Sequence, residues 1–174
     1  PHRIAYVFQE PRLLPWRTVR QNIDLALPPQ ETDPQLVDHL LEVMELSGVQ
    51  HQYPERLSLG MSRRVALVRA FAIKPTLLIM DEPFVSLDAP IARRIRELLV
   101  RVWIERPHTV LFVTHELREA IMLADRLMFL SPPPARIVAE IGVDIPRGAR
   151  DQEAVIEDFR GRLIANFPVL GPLL

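Results

Sequence analysis

The run LLIMDE, residues 77–82, ends four apolar side chains on two adjacent carboxylates, Asp81 and Glu82. A short apolar run with abrupt polar ends reads as a central strand of a parallel sheet, buried on both faces. The pattern recurs at 109–114, TVLFVT, where His115 follows, and at 4–8, IAYVF, where Gln9 follows. Helical patterns separate the later runs, so the chain reads as α/β with a mostly parallel sheet.

Thr18 caps a short helix over 19–27. Asp33 suits an N-cap and Pro34 the first helical position of the next helix. There Leu36, Val37, Leu40, Leu41 and Met44 share one face, and Gly48 closes it. Ser58 opens a third helix that runs to 73, where Lys74-Pro75 breaks it. Its Arg63, Arg64 and Arg69 are expected on a solvated face, beside apolar residues packed in the core. An Arg-rich helix over 90–105 turns Ile91, Ile95, Leu98, Leu99 and Val102 inward, and 109–114 is a third buried strand. A helix over 116–124, strands at 126–130 and 137–141, and an amphipathic helix over 152–166 complete the chain. The block 18–73 is nearly all helical and reads as an insertion into an α/β core of 1–17 and 74–141, with a helical tail over 150–174.

Composition removes several classes of function. The net charge of −1 gives no basic field for nucleic acid. With no cysteine there is neither a disulfide frame nor a thiolate metal site, which fits a cytosolic protein. No apolar run approaches the roughly 18–20 residues of a membrane span, so a soluble chain is expected. The first residues read as a strand already under way, and the expectation is an N-terminally incomplete chain.

Each strand end offers chemistry. An Asp closing a buried strand can hold Mg²⁺, a hard cation that takes oxygen ligands. A Glu one residue later can accept a proton from an attacking water. His115 can hydrogen-bond a phosphate, and the Gln9 amide can meet a cation or a water. Ser58 and Gly60 at a helix N-terminus expose N–H groups that suit a phosphate. Taken singly, each also has a plain structural reading: a strand-capping acid, a packing histidine, a strand-ending glutamine, an N-cap serine. No histidine pair has metal-site spacing.

In order, these residues resemble the ATP-binding subunit of an ABC transporter over about residues 4–130. The segment LSLGMSRRVALVRA is similar to the family's LSGGQ signature and the helix after it, and Ser86-Leu87-Asp88 follows the acids as in the family. VFQEPRLLPWRTVRQNI resembles the branch serving nitrate, sulfonate and taurine importers, and Met61 in place of the signature Gln fits that branch. The implied fold is a partial P-loop NTPase (RecA-like) core with an inserted helical subdomain, and the implied ligands are ATP and Mg²⁺.

By resemblance, Asp81 binds the metal through water, Glu82 is the general base, and His115 supports the γ-phosphate. Gln9 senses metal and γ-phosphate. Ser58, Leu59, Gly60 and Met61 face ATP held by a second subunit in a dimeric sandwich, and Asp88 links the two sites. Residues 10–16 and the helical block would meet a membrane permease at the cytoplasmic face of the bacterial inner membrane, with a periplasmic solute-binding protein as indirect partner.

Two departures bear on activity. Leu59 replaces the first signature Gly, where a side chain can crowd a phosphate. The phosphate-cradling G-x-x-x-x-G-K-[ST] is absent, because Lys74 is the only lysine and no Gly precedes it. The 174 residues alone are therefore expected to hydrolyse little ATP, and exposed apolar surface is expected on the sheet. The alternative reading is a non-catalytic, degenerate relative that only binds partners.

Overall fold

Three strands, Ile4–Val7 (β1), Leu77–Asp81 (β2) and Thr109–Val113 (β3), form a parallel sheet in the order β1-β2-β3 in the computed structural model, which describes residues 3–168. Val7 pairs with Met80, and Asp81 with Val113. β2 is central, as its unbroken apolar run predicts. Ala5, Val7, Leu78 and Met80 are buried on one face, whereas Ile4, Tyr6, Leu111 and Val113 on the other are exposed. β3 was expected to be buried. It instead pairs with β2 alone within this sheet, and Val110, Leu111 and Val113 are exposed. An apolar run does not by itself distinguish a strand paired on both sides from one paired on one.

The chain divides into two compact units, Pro1–Val113 and Thr114–Leu174. Residues 1–2 of the expected core and 169–174 of the expected tail lie outside the described residues. In the first unit, helix α1 (Val19–Asp24) starts on a reciprocal capping box: the Thr18 side chain accepts from the Gln21 N–H, and the Gln21 side chain accepts from the Thr18 N–H. Helix α2 (Pro34–Val43) starts with Asp33 accepting from the Leu36 N–H.

The end of α2 corrects the sequence expectation. It closes at Met44, before Gly48, through Leu46 N–H to Leu41 O at 2.7 Å and Glu45 N–H to Glu42 O at 3.0 Å. That is a Schellman closure with Glu45 at φ 58 in the place glycine usually takes. Arg64 and Arg94 both pair with the Glu45 carboxylate, which anchors the residue there.

Helix α3 (Leu59–Ala72) packs against α1, α2, β1 and α4 (Ala89–Glu105). Val65 through Val68 are all buried, so this helix is enclosed on nearly every side. On α4, Ile95, Leu98, Leu99 and Val102 are buried as expected, but Ile91 is partly exposed.

The second unit holds helix α5 (Leu117–Leu123), strands β4 (Arg126–Leu130) and β5 (Ile137–Gly142), and helix α6 (Glu153–Asn166). β4 and β5 are the two strands expected at 126–130 and 137–141, in a core whose sheet is expected to be mostly parallel. They form their own antiparallel pair, because residues 131–136 are too few for the crossover of a dozen or more residues that parallel pairing needs. Ile121, Leu127, Ile156, Phe159 and Leu163 make their core. Arg150, 5% exposed, binds the carbonyls of Ala124, Val143 and Ile145. No helix among the described residues is long and apolar enough to cross a membrane.

Candidate functional site

The parallel register brings three of the expected residues to one edge of the first sheet. Asp81 is the last residue of β2, half-buried, and the Tyr6 hydroxyl donates to its Oδ2 at 3.5 Å. Glu82 leaves the strand at φ 45, and its N–H donates to Val113 O at 2.9 Å. A left-handed backbone at a non-glycine residue costs about 1–3 kcal/mol and persists only where its surroundings hold it. Gln9 is exposed two residues beyond β1. Since Val7 pairs with Met80, Gln9 and Glu82 leave adjacent strands at the same level. His115 belongs to the second unit, with its side chain 62% exposed and Nε2 3.8 Å from Glu116 Oε1.

The expected phosphate-facing segment is the N-terminus of α3. Ser58 is its N-cap, and the side chain accepts from the Met61 N–H at 3.2 Å. Leu59 is the first helical residue and has a negative φ, so it occupies no glycine-only conformation. Gly60 is buried, and a Cβ there would lie 2.7 Å from Ile91 Cγ2. Its lack of a side chain permits the close approach of α3 to α4. Asp88 caps α4, its carboxylate accepting from the Ile91 N–H at 2.9 Å.

The arginines of α3 depart from the solvated face expected of them. Arg63 donates to the carbonyls of Glu82, Pro83 and Val85. Arg64 donates to Met44 O at the end of α2 and to Glu45. Arg69 donates to Pro11 O at 2.8 Å and Arg12 O at 3.0 Å. Burial pushes all three guanidinium groups below their ordinary pKa. On an enclosed helix an arginine cannot reach water freely, so loop carbonyls accept hydrogen bonds from its N–H groups. The readable signal was the unbroken apolar stretches VALV and AFAI around these arginines.

Asn22 is a second residue that sequence patterns did not reveal. It is 1% exposed; its Oδ1 accepts from the Leu14 N–H at 2.7 Å, and its Nδ2 donates to the carbonyls of Leu14, Arg17 and Thr18. With Arg69 it holds the segment that follows Gln9.

Among the described residues no three His, Cys, Asp or Glu side chains gather as a metal cluster. The oxygen donors of Asp81 and Gln9 nonetheless fit Mg²⁺, which keeps several waters and shares phosphate oxygens instead of sitting in an all-protein cage.

The family model described as ABC transporter matches residues 1–85. The nitrate import ATP-binding protein of Synechococcus elongatus is 44% identical over 167 residues, which cover 92% of this chain and 60% of that protein. An aliphatic sulfonates import ATP-binding protein of Bacillus licheniformis is 40% identical over 165 residues, 94% of this chain and 64% of the relative. The chain thus spans less than two thirds of the length of these relatives. The structure of cbiO1 from Clostridium perfringens, part of an ABC transporter complex, shares the fold with a TM-score of 0.71 at 22% identity, over 98% of this chain and 66% of that one. The ATP-binding cassette MJ0796, solved as a dimer bound to ADP and Pi, aligns with a TM-score of 0.68 at 27% identity, over 83% of this chain and 65% of its own.

Proposed function

We propose that the chain is part of an ABC transporter ATP-binding protein, as its similarity to the family model over residues 1–85 and to the nitrate and sulfonate import proteins suggests, and that the intact protein is the ATP-binding, ATP-hydrolysing subunit of an importer for a small anionic solute such as nitrate, sulfonate or taurine. One observation carries the catalytic part: Asp81 and Glu82 close the central parallel strand at the edge where Gln9 leaves its neighbour. Ligands of open α/β sheets bind at this end of the strands. The likeness to nitrate and sulfonate import proteins supports the choice of solute class.

Glu82 accepts the proton of the water that attacks the terminal phosphorus of ATP. Asp81, with Gln9, would hold Mg²⁺. Bound there, Mg²⁺ neutralises charge on the phosphate oxygens. Ser58, Leu59, Gly60 and Met61 face the nucleotide of a second copy, and Asp88 joins the two sites. The helical conformation of Leu59 supports this use of the helix start, since its backbone needs no glycine. Residues 10–16 and the helical block 18–73 meet the permease at the cytoplasmic face of the inner membrane, with a periplasmic solute-binding protein as the outer partner.

Glu82→Gln in the intact protein tests the assignment. A general base contributes about 10²–10⁴-fold, so steady-state ATP hydrolysis should fall at least about a hundredfold while ATP binding persists. Hydrolysis within a few-fold of wild type would remove Glu82 from the mechanism.

A further inference from the structure

The loop after Glu82 is folded onto a buried guanidinium. Arg63, in the second turn of α3, is 7% exposed. Its Nη1 donates to Glu82 O at 3.3 Å and to Pro83 O, and its Nη2 donates to Val85 O at 2.6 Å. No carboxylate pairs with it among the described residues. A buried charge without a counter-ion is tolerable only where hydrogen bonds replace its hydration; backbone carbonyls supply them at Nη1 and Nη2, while the buried Nε has no partner among the described residues.

The loop has a matching need. Between residues 82 and 86 the chain is left-handed twice, at Glu82 (φ 45) and Ser86 (φ 60), neither of them glycine. Such a path turns carbonyls away from any ladder, and each buried one requires a donor. One planar fork that meets three carbonyls fixes the loop more tightly than separate contacts would, and an ammonium lacks that fork.

We propose that Arg63 is a positioning residue for Glu82: by holding the carbonyls of Glu82, Pro83 and Val85 it fixes the backbone from which the Glu82 carboxylate reaches the attacking water. The inference rests on the reading of Glu82 as general base. It also ties the acid to the helix whose N-terminus carries Ser58 and Gly60, so a shift of that helix start moves the base with it.

The test compares wild type, Arg63→Met, Arg63→Lys and Glu82→Gln in the intact protein, by steady-state ATP hydrolysis at varied ATP and by the folded fraction from thermal melts. Misplacing a catalytic group by about 1 Å costs up to about a hundredfold. Arg63→Met should therefore lower kcat per folded molecule by about tenfold or more, with KM for ATP within about twofold, and Arg63→Lys should recover part of that kcat. Should Arg63→Met fail to fold, Arg63→Gln, whose amide can serve one carbonyl, replaces it with the same kcat-selective loss expected. If Glu82→Gln is inactive but the Arg63 variants keep kcat within twofold at equal folded fraction, the guanidinium only packs the loop and the proposal fails. If Glu82→Gln retains activity, the reading of Glu82 fails first, and the positioning role fails with it.

Discussion

Asn22→Asp should damage the protein more than Asn22→Ala, although aspartate is nearly the same shape as asparagine. The wild-type amide accepts one hydrogen bond, from Leu14 N–H, and donates toward the carbonyls of Leu14, Arg17 and Thr18 at 3.2, 3.0 and 3.0 Å. Two amide hydrogens shared over three acceptors, plus one accepted bond, amount to three hydrogen bonds at about 1 kcal/mol each. Alanine loses them but lets water reach the half-buried partners, which limits the cost to about 2–3 kcal/mol. Aspartate keeps the bond from Leu14 N–H but sets an anionic oxygen against three carbonyl oxygens in a buried place, which adds at least a further 1 kcal/mol. Urea unfolding of the intact protein at neutral pH reads both values. The aspartate should also respond to acid. Its folded-state pKa is raised above the unfolded value by the facing carbonyls, so the protonated form stabilises the fold below the unfolded pKa, and that gain is lost as pH rises through the folded pKa. Its deficit should therefore shrink in acid. An aspartate variant equal to or milder than alanine, with no narrowing in acid, would refute the account of Asn22 as a donor.

Gly60→Ala should destabilise by about 1 kcal/mol, since overlap with Ile91 Cγ2 at 2.7 Å outweighs the helix propensity gained. In an Ile91→Ala background the same change should be neutral or stabilising in melts. Acid should weaken the fold through three carboxylates held below their ordinary pKa: Asp33 by a hydrogen bond from Lys74, Glu45 by one from Arg94 and Asp144 by one from Arg162. Their contribution is present above the unfolded pKa and lost as pH falls through the depressed folded values. Tm should thus decline below the ordinary carboxylate range, less steeply in high salt and in Asp33→Asn, Glu45→Gln or Asp144→Asn.

Strands and caps were legible because their signals are local. The run LLIM needs cover on two sides, and Thr18, Asp33 and Ser58 each cap the helix their position foretells. The placement of the acids and Gln9 was legible because strand ends gather at one edge of a parallel sheet. Arg63, Arg69 and Asn22 escaped notice because their partners are backbone carbonyls, which every residue has and no sequence pattern marks. Glu45 escaped for a related reason: a Schellman closure ordinarily announces itself by glycine, and here two arginines from other helices hold a charged residue in its place. The antiparallel β4–β5 pairing is itself readable from the short span between its strands, which leaves no room for a parallel crossover.

Arg63 and Arg69 stand six residues apart on α3, about 9 Å along its axis and about 240° around it. One therefore meets the loop after β2, and the other the loop after β1. Adding or deleting a single residue between them would swing one anchor by about 100° relative to the other. No side-chain rotation restores a mismatch of that size. Changes of sequence along this helix can be tolerated wherever volume is kept, but its residue count between positions 63 and 69 cannot drift, which makes α3 the spacer that sets how far apart the two loops stand.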